Sequence, residues 1–304
     1  MMKKMLVYTL TLSMTLALSA CGALSGGSGS SAQEGGSGSS AGSAQLQEHQ
    51  DAPEPERTFR IDTEKETVWY EGYSRERTRS FRYEYDENGH LLRIAPTEGE
   101  NVSAQCYDYD EAGRLIREYD SDEIFVTEYT YDDRGRLGST TEMYDGSVLS
   151  VETYAYDSQD QRVMATVEGV FQGDPGGYDT TKVYSYDDQG RLVKEESETV
   201  SQIVGEYESK DSSRTEYVYQ DDGNIAESRT YSGEKLTSET TYTYDRGKLS
   251  IQQTAYEPSR EIEILNFEYD QQGNLIRKLT LHLSQEGAEK SRVTNEYTYT
   301  EVGA

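Results

Sequence analysis

From about residue 58 to the end of the chain, apolar and polar positions alternate with a period of two. The apolar partners are mostly Tyr, Thr, Val and Ile, so the pattern predicts strands. The strands are broken at regular places by one motif. Tyr83-Glu-Tyr-Asp-Glu-Asn-Gly-His-Leu-Leu92, Tyr107-Asp-Tyr-Asp-Glu-Ala-Gly-Arg-Leu-Ile116 and Tyr129-Thr-Tyr-Asp-Asp-Arg-Gly-Arg-Leu137 are successive copies. Tyr184-Ser-Tyr-Asp-Asp-Gln-Gly-Arg-Leu-Val193 and Phe267-Glu-Tyr-Asp-Gln-Gln-Gly-Asn-Leu-Ile276 are two more. Looser copies start at Tyr154, Tyr217 and Tyr242, and a truncated one, Tyr297-Thr-Tyr-Thr300, lies near the C-terminus. A recurrence every 22 to 33 residues is the signature of a repeat architecture.

Within each copy, Asp followed three residues later by Gly specifies a type I turn ending in a left-handed residue. That combination closes a three-residue hairpin loop. The residues carrying it are Tyr85, Asp86 and Gly89; Tyr109, Asp110 and Gly113; Tyr131, Asp132 and Gly135; Tyr186, Asp187 and Gly190; and Tyr269, Asp270 and Gly273. The geometry predicts that Asp110 faces Arg114, Tyr109 faces Leu115, and Tyr107 faces Arg117 on the same side. Tyr–aliphatic pairs then line one face and Asp–Arg pairs the other, each kind contributing roughly 0.2–1 kcal/mol. Two irregular copies are expected to keep these pairs while the loop drifts. A two-residue loop, Arg246-Gly247, leaves Tyr244 facing Leu249. A four-residue loop, Ser158 to Gln161, leaves Asp157 facing Arg162 and Tyr156 facing Val163. Gln220 in place of Asp weakens one further turn.

Short returns such as Tyr144-Asp-Gly-Ser147 and Tyr231-Ser-Gly-Glu234 join the hairpins. The fold class is therefore all-β: an antiparallel meander of roughly sixteen to eighteen strands, forming a long, coiled or shell-like sheet because twist forbids a flat one. Thr67–Gly72 is expected to be a degenerate strand that caps the array, with Trp69, the single Trp, packed on the first hairpin. Two connections look unusually long, Glu168–Lys182 and Glu198–Arg214. Extra length on a repeat scaffold often carries binding, so Phe171, Tyr178, Tyr184, Tyr186 and Tyr207 are the candidate ligand-binding residues.

The motif resembles the YD repeat, also called the Rhs repeat, over about residues 81–300. In the large relatives such repeats wrap into a shell around an effector domain. No segment follows the last repeat here, so the expectation is a shell-type sheet without that cargo. For YD repeats carbohydrate binding has been proposed, which makes a glycan one ligand the resemblance implies.

Ahead of the repeats, Lys3 and Lys4 precede an apolar run from Met5 to Leu18, which fits a secretory signal rather than a membrane span. Leu18-Ser-Ala-Cys21 looks like a bacterial lipobox, which makes Cys21 the expected lipidated N-terminus of the mature chain. Gly22 to about Gln45 is nearly all Gly, Ser and Ala, and Leu46–Arg57 adds acidic residues and Pro53 and Pro55. Residues 1–20 are thus assigned to the signal, 21–57 to a lipidated Cys and flexible tether, and 58–304 to the β-domain. The expected location is the extracytoplasmic face of a cell membrane, held by the lipid.

Charge narrows the partners. There are 57 acidic and 29 basic residues, which repels nucleic acid and anionic surfaces and favours cationic partners. Cys106 has no partner once Cys21 is lipidated and reads as a small strand residue. His49, His90 and His282 form no metal or triad pattern, and His90 stands where other repeats have Arg. Asp108-x-Asp110-x-x-Gly113 looks partly like a calcium loop but lacks the closing Glu, so neither metal nor cofactor is expected. The function expected is a non-catalytic binding or scaffolding module for a protein or glycan. The alternatives are a polysaccharide-acting enzyme with paired carboxylates and an accessory of a toxin shell. Replacing Gly113 by Val is expected to disturb its own turn and leave the other hairpins intact.

Overall fold

The computed structural model describes residues 58–73, 76–97, 102–171, 176–203 and 208–302. The predicted signal, Cys21 and the tether lie outside them. The chain forms β1 (Thr58–Tyr70), β2 (Arg77–Tyr85), β3 (Leu91–Pro96), β4 (Gln105–Tyr109), β5 (Leu115–Asp120) and β6 (Phe125–Tyr131). Then follow β7 (Leu137–Tyr144), β8 (Ser147–Tyr156), β9 (Arg162–Val170), β10 (Gly176–Tyr186), β11 (Leu192–Ile203) and β12 (Glu208–Tyr219). The last six are β13 (Ile225–Ser232), β14 (Lys235–Asp245), β15 (Lys248–Tyr256), β16 (Ile262–Tyr269), β17 (Leu275–Leu283) and β18 (Glu289–Val302). Every strand pairs antiparallel with its successor, and β18 pairs back onto β1, so the 18-stranded sheet is a closed ring. Strands approach one another only as ladder neighbours, which leaves a lumen inside.

The closure is a repeat cut in two. Tyr297 and Tyr299 on β18 are the first half of a copy, and Arg60 and Ile61 on β1 are its second half. Tyr299 pairs with Ile61, and the register then skips Asp62, as each complete hairpin skips one residue after its aliphatic position. The stretch Thr67–Gly72 therefore caps nothing. Its strand is the ring's closing element, running from Thr58 opposite Val302 to Tyr70 opposite Ser291. Trp69 sits opposite Arg292, whose guanidinium lies 6.0 Å from the ring.

The skipped residue also corrects the predicted register. Tyr109 does face Leu115, but a bulge at Ile116 places Arg117 opposite Asp108 and Glu118 opposite Tyr107. A bulge puts two residues against one and swaps sides beyond it. At Tyr156 the loop keeps its ordinary length. Asp160, at φ 63°, takes the place of Gly, and Tyr156 pairs with Arg162. Around Gln220 the turn survives because Asp222 takes up the Asn224 N–H at 3.0 Å. The Arg246-Gly247 copy pairs as predicted, Tyr244 with Leu249.

Crowding identifies the concave side. Along β10, Tyr178, Thr180, Lys182 and Tyr184 are half-buried while Asp179, Thr181 and Val183 are exposed. A lysine more buried than its valine neighbour means that curvature, not hydrophobicity, sets the alternation. The Tyr and Leu positions therefore face the lumen, where Tyr83, Ile94 and Tyr107 form the tightest cluster.

One rim carries all the Asp turns, and there the ladders between successive hairpins stop short. The Tyr hydroxyls bridge the gap. Tyr109 donates to the carbonyl of Leu91 at 3.0 Å, Tyr131 to Leu115 at 2.7 Å and Tyr156 to Leu137 at 2.9 Å. Tyr186, Tyr219, Tyr269 and Tyr299 do the same to Arg162, Leu192, Leu249 and Leu275. The turn's base does not stay on an opposite face, as the sequence suggested; it reaches the next repeat. The Arg114 guanidinium lies 4.6 Å from the Tyr131 ring, that of Arg136 4.5 Å from Tyr156, and the His90 ring 4.8 Å from Tyr109. Within each turn, Asp110 accepts from the backbone N–H of Arg114 and from its guanidinium, both holding its carboxyl below the usual range.

Candidate functional site

At the rim away from the Asp turns, the strands differ in length. β3, β4 and β5 have 6, 5 and 6 residues, whereas β10, β11 and β12 have 11, 12 and 12. The two long connections read from the sequence are the far ends of these strands, which form a tongue above their neighbours. β12 pairs with β11 down to Glu208 opposite Gln202, but with β13 only from Ser213.

The tongue is built on glycine. Tyr178 pairs with Gly169, and its ring lies so close over that residue that a Cβ there would strike it. A Cβ on Gly177 would meet the Gly169 carbonyl. These close approaches leave a shallow trough of about 490 Å³ lined by Gly177, Asp179, Val200, Gln202 and Glu208, among others. Gln202 donates to Glu208 at 3.0 Å. At its edge the Phe171 and Tyr178 rings lie 5.9 Å apart, tilted by 40°.

The structure thus divides the candidate set. Phe171 and Tyr178 come together at the tongue. Tyr184 and Tyr186 lie at the other end of β10, roughly 20 and 26 Å from Tyr178 at strand rise. Tyr184 is in the lumen opposite Glu195, and Tyr186 belongs to the hydroxyl bridges of the turn rim. Tyr207 lies outside the described residues. The sequence reading missed Phe125 and Tyr144, whose rings meet at 4.9 Å on the same rim. Their signal was the tight Asp145-Gly146 return, which places flanking side chains at a tip.

The lumen carries carboxylates, and several of them have partners. Glu64 accepts from Tyr83 and from Asn295, both at 2.6 Å. Glu118 accepts from Tyr129 at 3.1 Å, and Glu152 binds Lys182 at 2.8 Å. Burial is the first cause that raises Glu66, with Arg79 opposing it. Burial likewise raises the Tyr154 and Tyr299 hydroxyls to about 12, which keeps them as donors at neutral pH. Cys106 is half-buried on the outer face, and burial raises its thiol, which suits packing better than nucleophilic attack. His90 donates from Nδ1 to the Asp86 carboxylate at 2.8 Å in the place of Arg, and His282 lies 3.3 Å from Glu263. Among the described residues no His, Cys, Asp and Glu group has metal-holding geometry.

The outer face is charged between the rims. Arg277 pairs with Glu268, Arg229 with Glu239 and Arg93 with Glu84. A Lys or Arg facing lipid at mid-bilayer costs roughly 2–4 kcal/mol, so this face suits water rather than hydrocarbon.

Residues 60–201 match the family described as teneurin YD-shell. No curated protein matches the sequence at a significant level. Among solved structures, a porin-like protein from Bacteroides uniformis is similar at 13% identity, covering 79% of this chain and 98% of that one, with a TM-score of 0.41. The Tc holotoxin pore of Photorhabdus luminescens is similar at 13% identity over 75% of this chain, with a TM-score of 0.21. The TcdB2-TccC3 crystal structure is similar at 13% identity over 70% of this chain, with a TM-score of 0.22. This chain spans 16% and 15% of those two toxin chains.

Proposed function

We propose that this β-domain, whose residues 60–201 match the teneurin YD-shell family, serves as a lipid-anchored, extracytoplasmic, non-catalytic binding module. The observation that carries this reading is the opposition of the two rims. Thr58, where the β-domain joins the Gly/Ser-rich tether, lies at the rim of Asp turns, opposite Val302. The tongue, its trough and the aromatic pairs lie at the other rim. Entry of the chain at the regular rim leaves the irregular one free to meet a ligand. The engagement of Glu64, Glu118 and Glu152 favours binding over hydrolysis by any pair drawn from them, since hydrolysis needs a pair free to take and give protons.

A protein ligand is the first reading. A glycan is the second, favoured by the Phe171 and Tyr178 ring pair at the tongue, since paired aromatic rings suit sugar stacking. Expression of the full chain and of Cys21→Ser in a bacterium, followed by fractionation and intact-mass measurement, tests the anchor. The expected result is an acylated, membrane-bound wild type and a soluble variant. A wild type without added acyl mass would overturn the anchoring. Titration of the mature chain with cell-wall oligosaccharides separates the ligands, and saturable binding lost in Tyr178→Ala would favour the glycan.

A further inference from the structure

We propose that the arc of the far rim from β5 to β11 is the docking surface for a protein segment that alternates apolar side chains with Lys or Arg. The inference rests on the binding-module reading and names the partner's chemistry. Three observations carry it.

The first is apolar exposure at consecutive hairpin tips. Phe125 is 59% exposed, Val148 48% and Val170 52%. They belong to neighbouring tips: the Asp145 N–H donates to the Ile124 carbonyl at 2.7 Å, tying the β5–β6 turn to the β7–β8 turn. Val170 pairs with Gly177 and so meets no side chain across the ladder. By register Phe125 projects on the lumen side and Val148 and Val170 on the outer side, so the crest is apolar on both of its flanks. Exposed apolar groups gathered on one stretch of surface mark interaction sites more often than scattered ones do.

The second is the sign of the charge. The rim segments 121–126, 142–150, 167–171, 176–180, 199–203 and 208–212 hold one base, Lys210, and Glu198 already binds it at 2.6 Å. The other arc of the same rim holds Arg77, Lys235, Arg260, Lys290 and Arg292. Asp145, Glu168 and Asp179 have no ion-pair partner among the described residues.

The third is a direct clash of like charges. Glu168 and Asp179 face each other across the β9–β10 ladder, an arrangement that is unfavourable for a pair of carboxylates. An incoming cation relieves it. A second copy would bring the same negative sign, and an anionic lipid surface would be repelled. An extended or helical segment with apolar anchors and basic neighbours satisfies both the crest and its carboxylates.

The test is fluorescence anisotropy of a labelled peptide of about a dozen alternating Leu and Lys residues, titrated with the mature full-length protein. The triple variant Phe125→Ser, Val148→Ser, Val170→Ser and the double variant Glu168→Gln, Asp179→Asn should each weaken binding by about tenfold or more. A control triple elsewhere on the outer face, Val218→Ser, Ile251→Ser, Ile276→Ser, should leave it unchanged. Raising salt to about 0.3 M should weaken the wild type and narrow its gap to the charge variant. Circular dichroism checks that all variants fold. Equal binding by all variants, or equal binding of a Leu–Glu peptide, would overturn the proposal. So would crest-dependent co-sedimentation of the Cys21→Ser chain with phosphatidylcholine vesicles, which would make lipid the occupant. Failure here leaves the anchoring result untouched, because that is read by mass and fractionation.

Discussion

The two rims of the ring obey different rules. At the turn rim most hairpins repeat the same parts, and those parts reach the next hairpin. A Tyr hydroxyl meets the previous repeat's carbonyl, a base lies over the next Tyr, and a Gly makes room for that base. At the far rim the tips touch only through scattered backbone bonds such as Asp145 to Ile124 and share no common part, from the two-residue Asp145-Gly146 return to the tongue of β10–β12. A recurring set of contacts constrains the first rim, while the absence of any such set lets the second vary. A regular scaffold and an irregular rim therefore coexist on one sheet, and the second is where the proposed docking surface lies.

The comparison can be broken experimentally. Tyr83→Ala removes a buried ring beside the closing strand and should cost roughly 3–5 kcal/mol, read as a lower urea midpoint. A loss below about 1 kcal/mol would mean that the lumen cluster does not hold the ring. Next come two glycines with similar backbones. Gly113 (φ +77°) would place a Cβ 2.7 Å from His90, whereas Gly146 (φ +73°) at the far rim has open space. Both Ala variants pay about 1–2 kcal/mol for the left-handed conformation, and Gly113→Ala should lose more. His90→Ala in that background should recover the excess; a cycle without coupling would make the turns as independent as the sequence alone suggested. Tyr131→Phe should cost about 1 kcal/mol by orphaning the Leu115 carbonyl, measured by thermal melting. Smallest of all, Phe125→Ser should stay within about 0.5 kcal/mol, and a large destabilisation there would mean that the far rim is structural after all.

The hairpins, their turns and the Tyr109–Leu115 type of pair were legible because Asp, Gly and alternation each have a local physical cause. Three things were not. The bulge at Ile116 carries no Gly and looks like ordinary strand, yet it reverses the parity of everything beyond it. Asp160 stands where a Gly was expected, because Asp tolerates the left-handed region better than most residues. The split repeat was hidden because Arg60 and Ile61 precede their Tyr partners in number by more than two hundred residues. Its trace was nevertheless present: Arg60-Ile61 has the form of Arg114-Leu115. Of the candidate site, extra length near residue 170 was visible, but the scatter of Tyr184 and Tyr186 depended on where the strands ended.

With half a repeat at each end completing the ninth, the girth of the ring is set by whole-number counting. Eighteen strands about 4.8 Å apart and tilted by about 40° trace a circle roughly 36 Å across, and one more or one fewer repeat shifts that by about 4 Å. The seam is indifferent to the change, since both of its halves are preserved. Duplication or deletion of one unit of 22 to 33 residues would thus retune the bore in discrete steps, without any new chemistry at the rim.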